Sequence, residues 1–276
     1  MTSPPALLPA AAFAIACAAS ADCHAETRSV APSADANANA SATFDCEPGW
    51  EFEVTPYVLI TGLHGDIGVT PAIPPVHVSL TPGDVISSLK FGVMGAVQAR
   101  YDRFVAISDN IFSNNGFSKH ITLRDADFVS ASVGSKMFIS TDMVGYRFYD
   151  PAEHGGVAID ALAGARFDNI DDSLDLVGPR RVFNGGRSQF WVDPLIRARA
   201  MAPIRGRWSW SLYGDVGGFD VGSRLTGEVF GSLKYALDRH WSAIAGWRYL
   251  YTDYSHEGFV FRTTLNGPLL GASYKF

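Results

Sequence analysis

The chain has 276 residues, of which 47% are hydrophobic, 12% aromatic and 18% charged, with 27 Gly and a formal charge of -6. A disordered protein would be poorer in aromatics and richer in charge. The acid excess and the scattering of the basic residues leave no electrostatic footprint for nucleic acid. The length fits one or two ordinary domains or a single large barrel.

Residues 1–25 read as a secretory signal peptide. Ala6 to Ala21 is an apolar, alanine-rich run, too short and weak for a permanent helical span, and Ala21 and Ala25 each close a small-residue cleavage context. No Lys or Arg precedes the run. Residues 26–49 are Ala, Ser, Asn and Asp with almost nothing to bury, so a disordered linker is expected. Cys17, Cys23 and Cys46 all precede the main body and match no zinc-ligand spacing.

From Trp50 onward the pattern is period two. Val157, Ile159, Ala161, Ala163, Ala165 and Phe167 alternate with Asp160, Arg166 and Asp168. Phe190 to Ala200 alternates with Asp193, Arg197 and Arg199, and Trp241 to Tyr251 alternates with Ser242, Gly246 and Arg248. Turn residues between such runs give about ten strands, within a range of eight to twelve, at 50–64, 87–100, 104–113, 127–149, 156–170, 187–202, 207–216, 222–236, 241–253 and 258–276. The connections 65–86, 114–126 and 171–186 are long, whereas those near 102, 152, 205 and 238 are short and polar. In 127–149 an unbroken phase would set Asp142 beside Val144, Tyr146 and Phe148, facing lipid. Either a bulge resets the phase there or the upper strand rises above the membrane.

Two features choose a membrane barrel over a soluble one. Phe104, Phe148, Trp208, Trp210, Tyr235, Trp241, Tyr274 and Phe276 lie beside the short turns or at the chain end, at one level, as an interfacial girdle requires. Basic residues comprise 17 Arg against 5 Lys, and a planar fork suits carboxylates in confined places. Gly145-Tyr146-Arg147-Phe148, Gly164-Ala165-Arg166-Phe167 and Gly246-Trp247-Arg248-Tyr249 repeat a Gly-x-Arg-aromatic step. The glycine is expected to leave room for the arginine to cross the lumen. Arg100, Arg147, Arg166, Arg197, Arg199 and Arg248 are the inward cations, and Asp160, Asp193, Asp215 and Glu228 the acids of matching parity.

With its signal peptide, alternating strands and closing Gly271-Ala272-Ser273-Tyr274-Lys275-Phe276, the sequence resembles small Gram-negative outer-membrane β-barrels of the OmpA/OmpX-like superfamily. The resemblance covers residues 50–276 and implies an all-β, single antiparallel up-and-down transmembrane barrel in the bacterial outer membrane. It also implies contact with outer-membrane lipid and lipopolysaccharide. Leu270, Ala272, Tyr274 and Phe276 resemble the family's recognition signal for the outer-membrane insertase. No single activity is implied.

Candidate chemistry is sparse. Tyr254-Ser255-His256-Glu257 offers hydroxyl, imidazole and carboxylate together, but neighbours on a strand point to opposite faces, and a triad must converge. Asp215 and Asp220 do not match a calcium-loop spacing and suit a tight turn. Neither a cofactor nor a metal is expected. The first expectation is a non-enzymatic barrel with a structural or surface-interaction role through its loops. A narrow anion-leaning pore is the alternative, and a lipid-modifying enzyme the lesser one.

Overall fold

The computed structural model describes residues 49–68, 75–121, 129–149, 156–177 and 182–276. The expected signal peptide, nearly all of the expected linker and the three cysteines lie outside them. Twelve strands and one helix follow in chain order: β1 (Trp50–Leu59), β2 (Gly62–Gly68), β3 (Val76–Leu80), α1 (Pro82–Ser88), β4 (Leu89–Tyr101), β5 (Phe104–Ile121) and β6 (Val129–Tyr149). The remainder are β7 (Ala158–Val177), β8 (Val182–Arg205), β9 (Trp208–Gly218), β10 (Leu225–Ala236), β11 (Trp241–His256) and β12 (Phe259–Lys275).

From β4 to β12 each strand pairs antiparallel with the next, and β1 pairs with both β4 and β12, which closes the barrel. β12 continues upward against β2, and Ile60 bridges the break by donating its N–H to the Pro268 carbonyl at 2.9 Å. β1 and β2 therefore act as one staircase strand, and the wall has ten. Closure leaves no sheet edge inside hydrocarbon, where unpaired backbone groups would cost several kcal/mol each, of order 4–8 by alkane transfer.

Three parts of the 65–86 region are more ordered than a plain loop. β2 runs on to Gly68, β3 folds back on it, and α1 follows. The helix is nucleated by a capping box: the Asp84 N–H donates to the Thr81 hydroxyl, the Thr81 N–H donates to the Asp84 carboxylate, and Pro82 opens the first turn. The expected loops 114–126 and 171–186 are also largely strand, since β5 reaches Ile121, β7 reaches Val177 and β8 starts at Val182. β8 is 24 residues long, whereas roughly ten tilted residues cross a bilayer. The excess stands above the membrane as a β-ribbon wall.

The outer face is apolar. Val144, Phe148, Phe190, Ile196, Leu212, Val229, Leu233, Trp247 and Leu270 are all exposed. At the short-turn end, Phe104 packs on Tyr146, Trp208 on Tyr235, Trp241 on Tyr274 and Tyr274 on Phe276, with ring centroids 4.8–5.3 Å apart. Trp210 departs from this belt: it is half-buried and borders the lumen cavity on that side. A second belt, not expected from the sequence, lies eight to ten residues further along the strands at Phe91, Phe112, Phe138 and Tyr251. At about 3.3 Å per residue and a tilt near 40°, ten residues rise about 25 Å, the height of the apolar band of such barrels.

Asp142 corrects the sequence reading. β6 pairs without interruption from Val129 to Arg147 against β5 and β7, and the irregularity falls at Arg147/Tyr149, below Asp142. No bulge resets the phase, and Asp142 does not lie above the band: it sits midway between Phe148 and Phe138, facing outward. The glycine reading also needs revision. A Cβ on Gly164 would meet the Asp142 carbonyl at 2.0 Å, and one on Gly145 would meet the Ala161 carbonyl at 2.4 Å. These glycines allow neighbouring backbones to close in a narrow barrel, and the room they make is not for an arginine.

Val229→Arg, on the outer wall at mid-depth, should destabilise the barrel by about 2–4 kcal/mol, measured by reversible urea unfolding in phospholipid vesicles.

Candidate functional site

The inward faces of the strands fill the lumen in tiers. At the short-turn rim, Arg100 pairs with Glu51 at 2.5 Å, Lys275 with Glu51 at 3.1 Å, and Lys234 with Glu53 at 2.5 Å. Arg100 is thus a rim residue and no part of the buried network expected for it.

One tier higher, Asp160 is fully buried and shared by two guanidiniums. Arg147 Nε donates to its Oδ1 at 2.8 Å, and Arg199 donates through Nε and Nη2 to Oδ2 at 3.0 and 2.6 Å. Register explains the meeting, because Asp160 lies directly opposite Arg147 on β6 and Arg199 on β8. Arg199 Nη1 also donates to Gln98 Oε1 at 2.6 Å, across the barrel.

The middle tier balances three arginines against three acids. Arg197 donates to Asp215 through Nε and Nη2 at 3.0 and 2.5 Å. Arg166 lies between Asp215 at 3.3 Å and Glu228 at 2.9 Å and also donates to Thr226 and Thr141. Arg248 bridges Glu228 at 3.0 Å and Asp109 at 2.5 Å. The Tyr213 hydroxyl donates to Glu228 and the Tyr57 hydroxyl to Asp109, both at 2.6 Å, and Arg197 stacks on the Tyr213 ring at 3.9 Å. Two tyrosines and one acid here, Tyr57, Tyr213 and Asp109, escaped the sequence reading. Their inward parity was the available signal, but nothing in the chain order marks which parity-matched residues share a height.

Asp193 is placed differently from expectation. It is buried in the lumen but takes no arginine among the described residues. It accepts from the Ser223 N–H at 2.6 Å, the Ser223 hydroxyl at 2.7 Å and the Trp191 indole at 3.2 Å. Gly218, Phe219 and Asp220 all have positive φ, so the β9–β10 turn is strained, and Asp193 fastens it over the barrel mouth. Asp220 belongs to that turn and Asp215 to the middle tier, which separates the two acids weighed for calcium. Among the described residues no cluster of three or more potential ligands could hold a metal ion.

Above the ion pairs an apolar layer fills the lumen. Trp191 stacks on Tyr254 at 4.0 Å with planes 9° apart, and Phe259, Phe261 and Ile170 pack around them. Lower down, Leu59, Ile111, Ile139, Leu250 and Leu265 close the space between this layer and the middle tier. In Tyr254-Ser255-His256-Glu257, Tyr254 is buried inward, Ser255 is exposed, and His256 lies 3.9 Å from Glu257 at the rim. The hydroxyls and the imidazole do not converge.

Cavities open at both ends of the lumen. One of about 460 Å3 opens at the short-turn side and is bordered by Arg147, Arg197, Arg199, Lys234 and Met201; the other, of about 380 Å3, lies at the opposite mouth among Lys90, Lys136, Asp171, Asp172 and Arg187. They share no lining residue.

Apolar side chains face out between two aromatic belts while ion pairs fill the inside, and only a hydrocarbon surround makes that distribution favourable. The chain is a membrane-spanning antiparallel β-barrel. Similar solved structures include the translocator domain of the autotransporter NalP from Neisseria meningitidis, with 11% identity, TM-score 0.42, and 84% of this chain and 90% of that one covered. The outer membrane protease OmpT from Escherichia coli has 10% identity and TM-score 0.42, covering 83% and 97%. Ail, the attachment invasion locus protein of Yersinia pestis, in complex with a heparin analogue, has 12% identity and TM-score 0.37, covering 83% and 100%. No family model and no curated protein matches the sequence.

The Leu270, Ala272, Tyr274 and Phe276 series lies on the outer face of β12, and Phe276 donates its N–H to the Phe52 carbonyl at 2.9 Å across the closing seam.

Asp160→Asn should cost about 3–5 kcal/mol, because two buried guanidiniums lose their common anion. Gln98→Ala, which leaves every ion pair intact, should cost about 1 kcal/mol, both read from urea midpoints in vesicles.

Proposed function

We propose that this protein is a non-enzymatic outer-membrane barrel whose role is structural or surface-binding, exercised by the part that stands above the bilayer. The observation that carries this reading is the filled lumen: a charge-balanced tier of Arg166, Arg197 and Arg248 against Asp109, Asp215 and Glu228, roofed by the Trp191–Tyr254 layer. Ten strands enclose little more than side chains can fill. The tall β5–β8 ribbon and the β2–β3 hairpin then offer the larger accessible surface on the outside of the cell. Assembly by the outer-membrane insertase through Leu270, Ala272, Tyr274 and Phe276, and contact of the upper belt with lipopolysaccharide, belong to the same reading.

A second reading, a narrow anion-leaning pore, draws on the 460 Å3 cavity bordered by Arg147, Arg197 and Arg199. It would require the middle tier to part. The lesser, enzymatic reading draws on the serine, histidine and acid near residue 256, whose divergent directions argue against it.

Refolded protein in planar bilayers should show no steady conductance. Stable anion-selective openings, lost in Arg197→Ala and Arg199→Ala, would replace the first reading with the second, and altered lipid A or phospholipid profiles on overexpression would favour the third.

A further inference from the structure

The outer wall carries a polar cluster with a carboxylate at mid-depth. Ser108 and Asn110 on β5 and Ser140 and Asp142 on β6 form a square, with Ser108 directly opposite Asp142 and Asn110 directly opposite Ser140. They are linked to one another: the Asn110 amide donates to the Ser108 hydroxyl at 3.0 Å, and the Ser140 hydroxyl lies 2.9 Å from Asn110 Oδ1 and 3.1 Å from Asp142 Oδ2. The square sits between the belts, with Phe112 and Phe138 above it and Ala106 and Val144 below, and small residues flank it at Gly95 and Ala165. Acyl chains offer a carboxylate no hydrogen bond, so this patch is poorly matched to lipid.

We infer that the β5–β6 face is the contact surface of a homodimer within the membrane. The inference is independent of whether the lumen conducts. Two copies inserted in the same direction are related by an axis along the membrane normal, and such an axis preserves height while exchanging left and right. Passing between β5 and β6, it places β5 of one copy against β6 of the other. Ser108 and Asn110 of each copy then face Asp142 of the other, twice over, while the buried Ser140 braces Asn110 and Asp142 from within its own chain. The same square thus supplies both the donors and the acceptors its copy needs, and Gly95, Ala106 and Ala165 allow the backbones to approach. Elsewhere the exposed mid-depth wall offers mainly apolar contact, such as Leu212, Val229 and Leu233, for which lipid is an equal partner.

A benzophenone amino acid at Ala106, on the lower edge of the square, tests this in intact outer membranes under ultraviolet light, with Val229 on β10 as the control position. A species of twice the monomer mass should form from position 106 at least tenfold more than from 229, and adding Asp142→Leu should abolish it. A probe at Ala163 on β7 substitutes if position 106 prevents folding, judged by heat-modifiable gel migration. Monomer or lipid adducts alone from a folded barrel would overturn the proposal, as would an adduct with a different protein or a dimer indifferent to Asp142→Leu.

Discussion

A guanidinium inside a narrow barrel can be neutralised only by carboxylates that other strands deliver to the same height, and the lumen of this protein is organised around that requirement. Arg166, on β7, is fully buried, and its acids come from β9 and β10, 49 and 62 residues later in the chain. Arg248, on β11, takes Asp109 from β5, 139 residues away. Each such pair fixes the register and azimuth of the strands that carry it. A slip of one residue would turn a carboxylate into hydrocarbon and leave an arginine unmatched. The ion pairs therefore specify the closed arrangement more than they add to its stability, because desolvation offsets much of their attraction.

The outside obeys the converse rule. Between the belts the wall is mainly Val, Leu, Ile, Ala and aromatic, and the backbone hydrogen bonds are completed by the β1–β12 seam. The lumen then divides by height: ion pairs in the lower and middle tiers, apolar and aromatic packing toward the end opposite the short turns, and a strained turn held down by Asp193. Cavities at the two ends of the lumen share no lining residue. The square around Asp142 breaks the rule for the outer wall, and that breach gives the wall a direction in which a second copy fits.

Much of this was legible in one dimension. Alternation in Val157–Phe167 and Trp241–Tyr251 gave strands with the correct faces, and the parity of Arg147, Arg166, Arg197, Arg199 and Arg248 put them inside, because a strand's side-chain period is fixed at two. The ends of strands were read less well. β7 and β8 continue through residues whose sequence suggests a loop, since above the membrane neither face needs to be apolar and the alternation fades. The Thr81–Asp84 capping box is a local helix signal set among Pro and Gly residues that suggest a plain loop.

Period two, together with the aromatic residues beside the short turns and the Gly-x-Arg steps, determined a barrel, its inward arginines and the belt at its short turns, because these depend on local geometry and on the solvent each face meets. Only the closed tertiary structure decided which acid serves which arginine, why Asp193 serves a turn instead, and that Asp142 looks outward at mid-depth. Those facts depend on strand stagger around the barrel, which is set by pairings between residues far apart in the chain, and no short stretch of sequence records height.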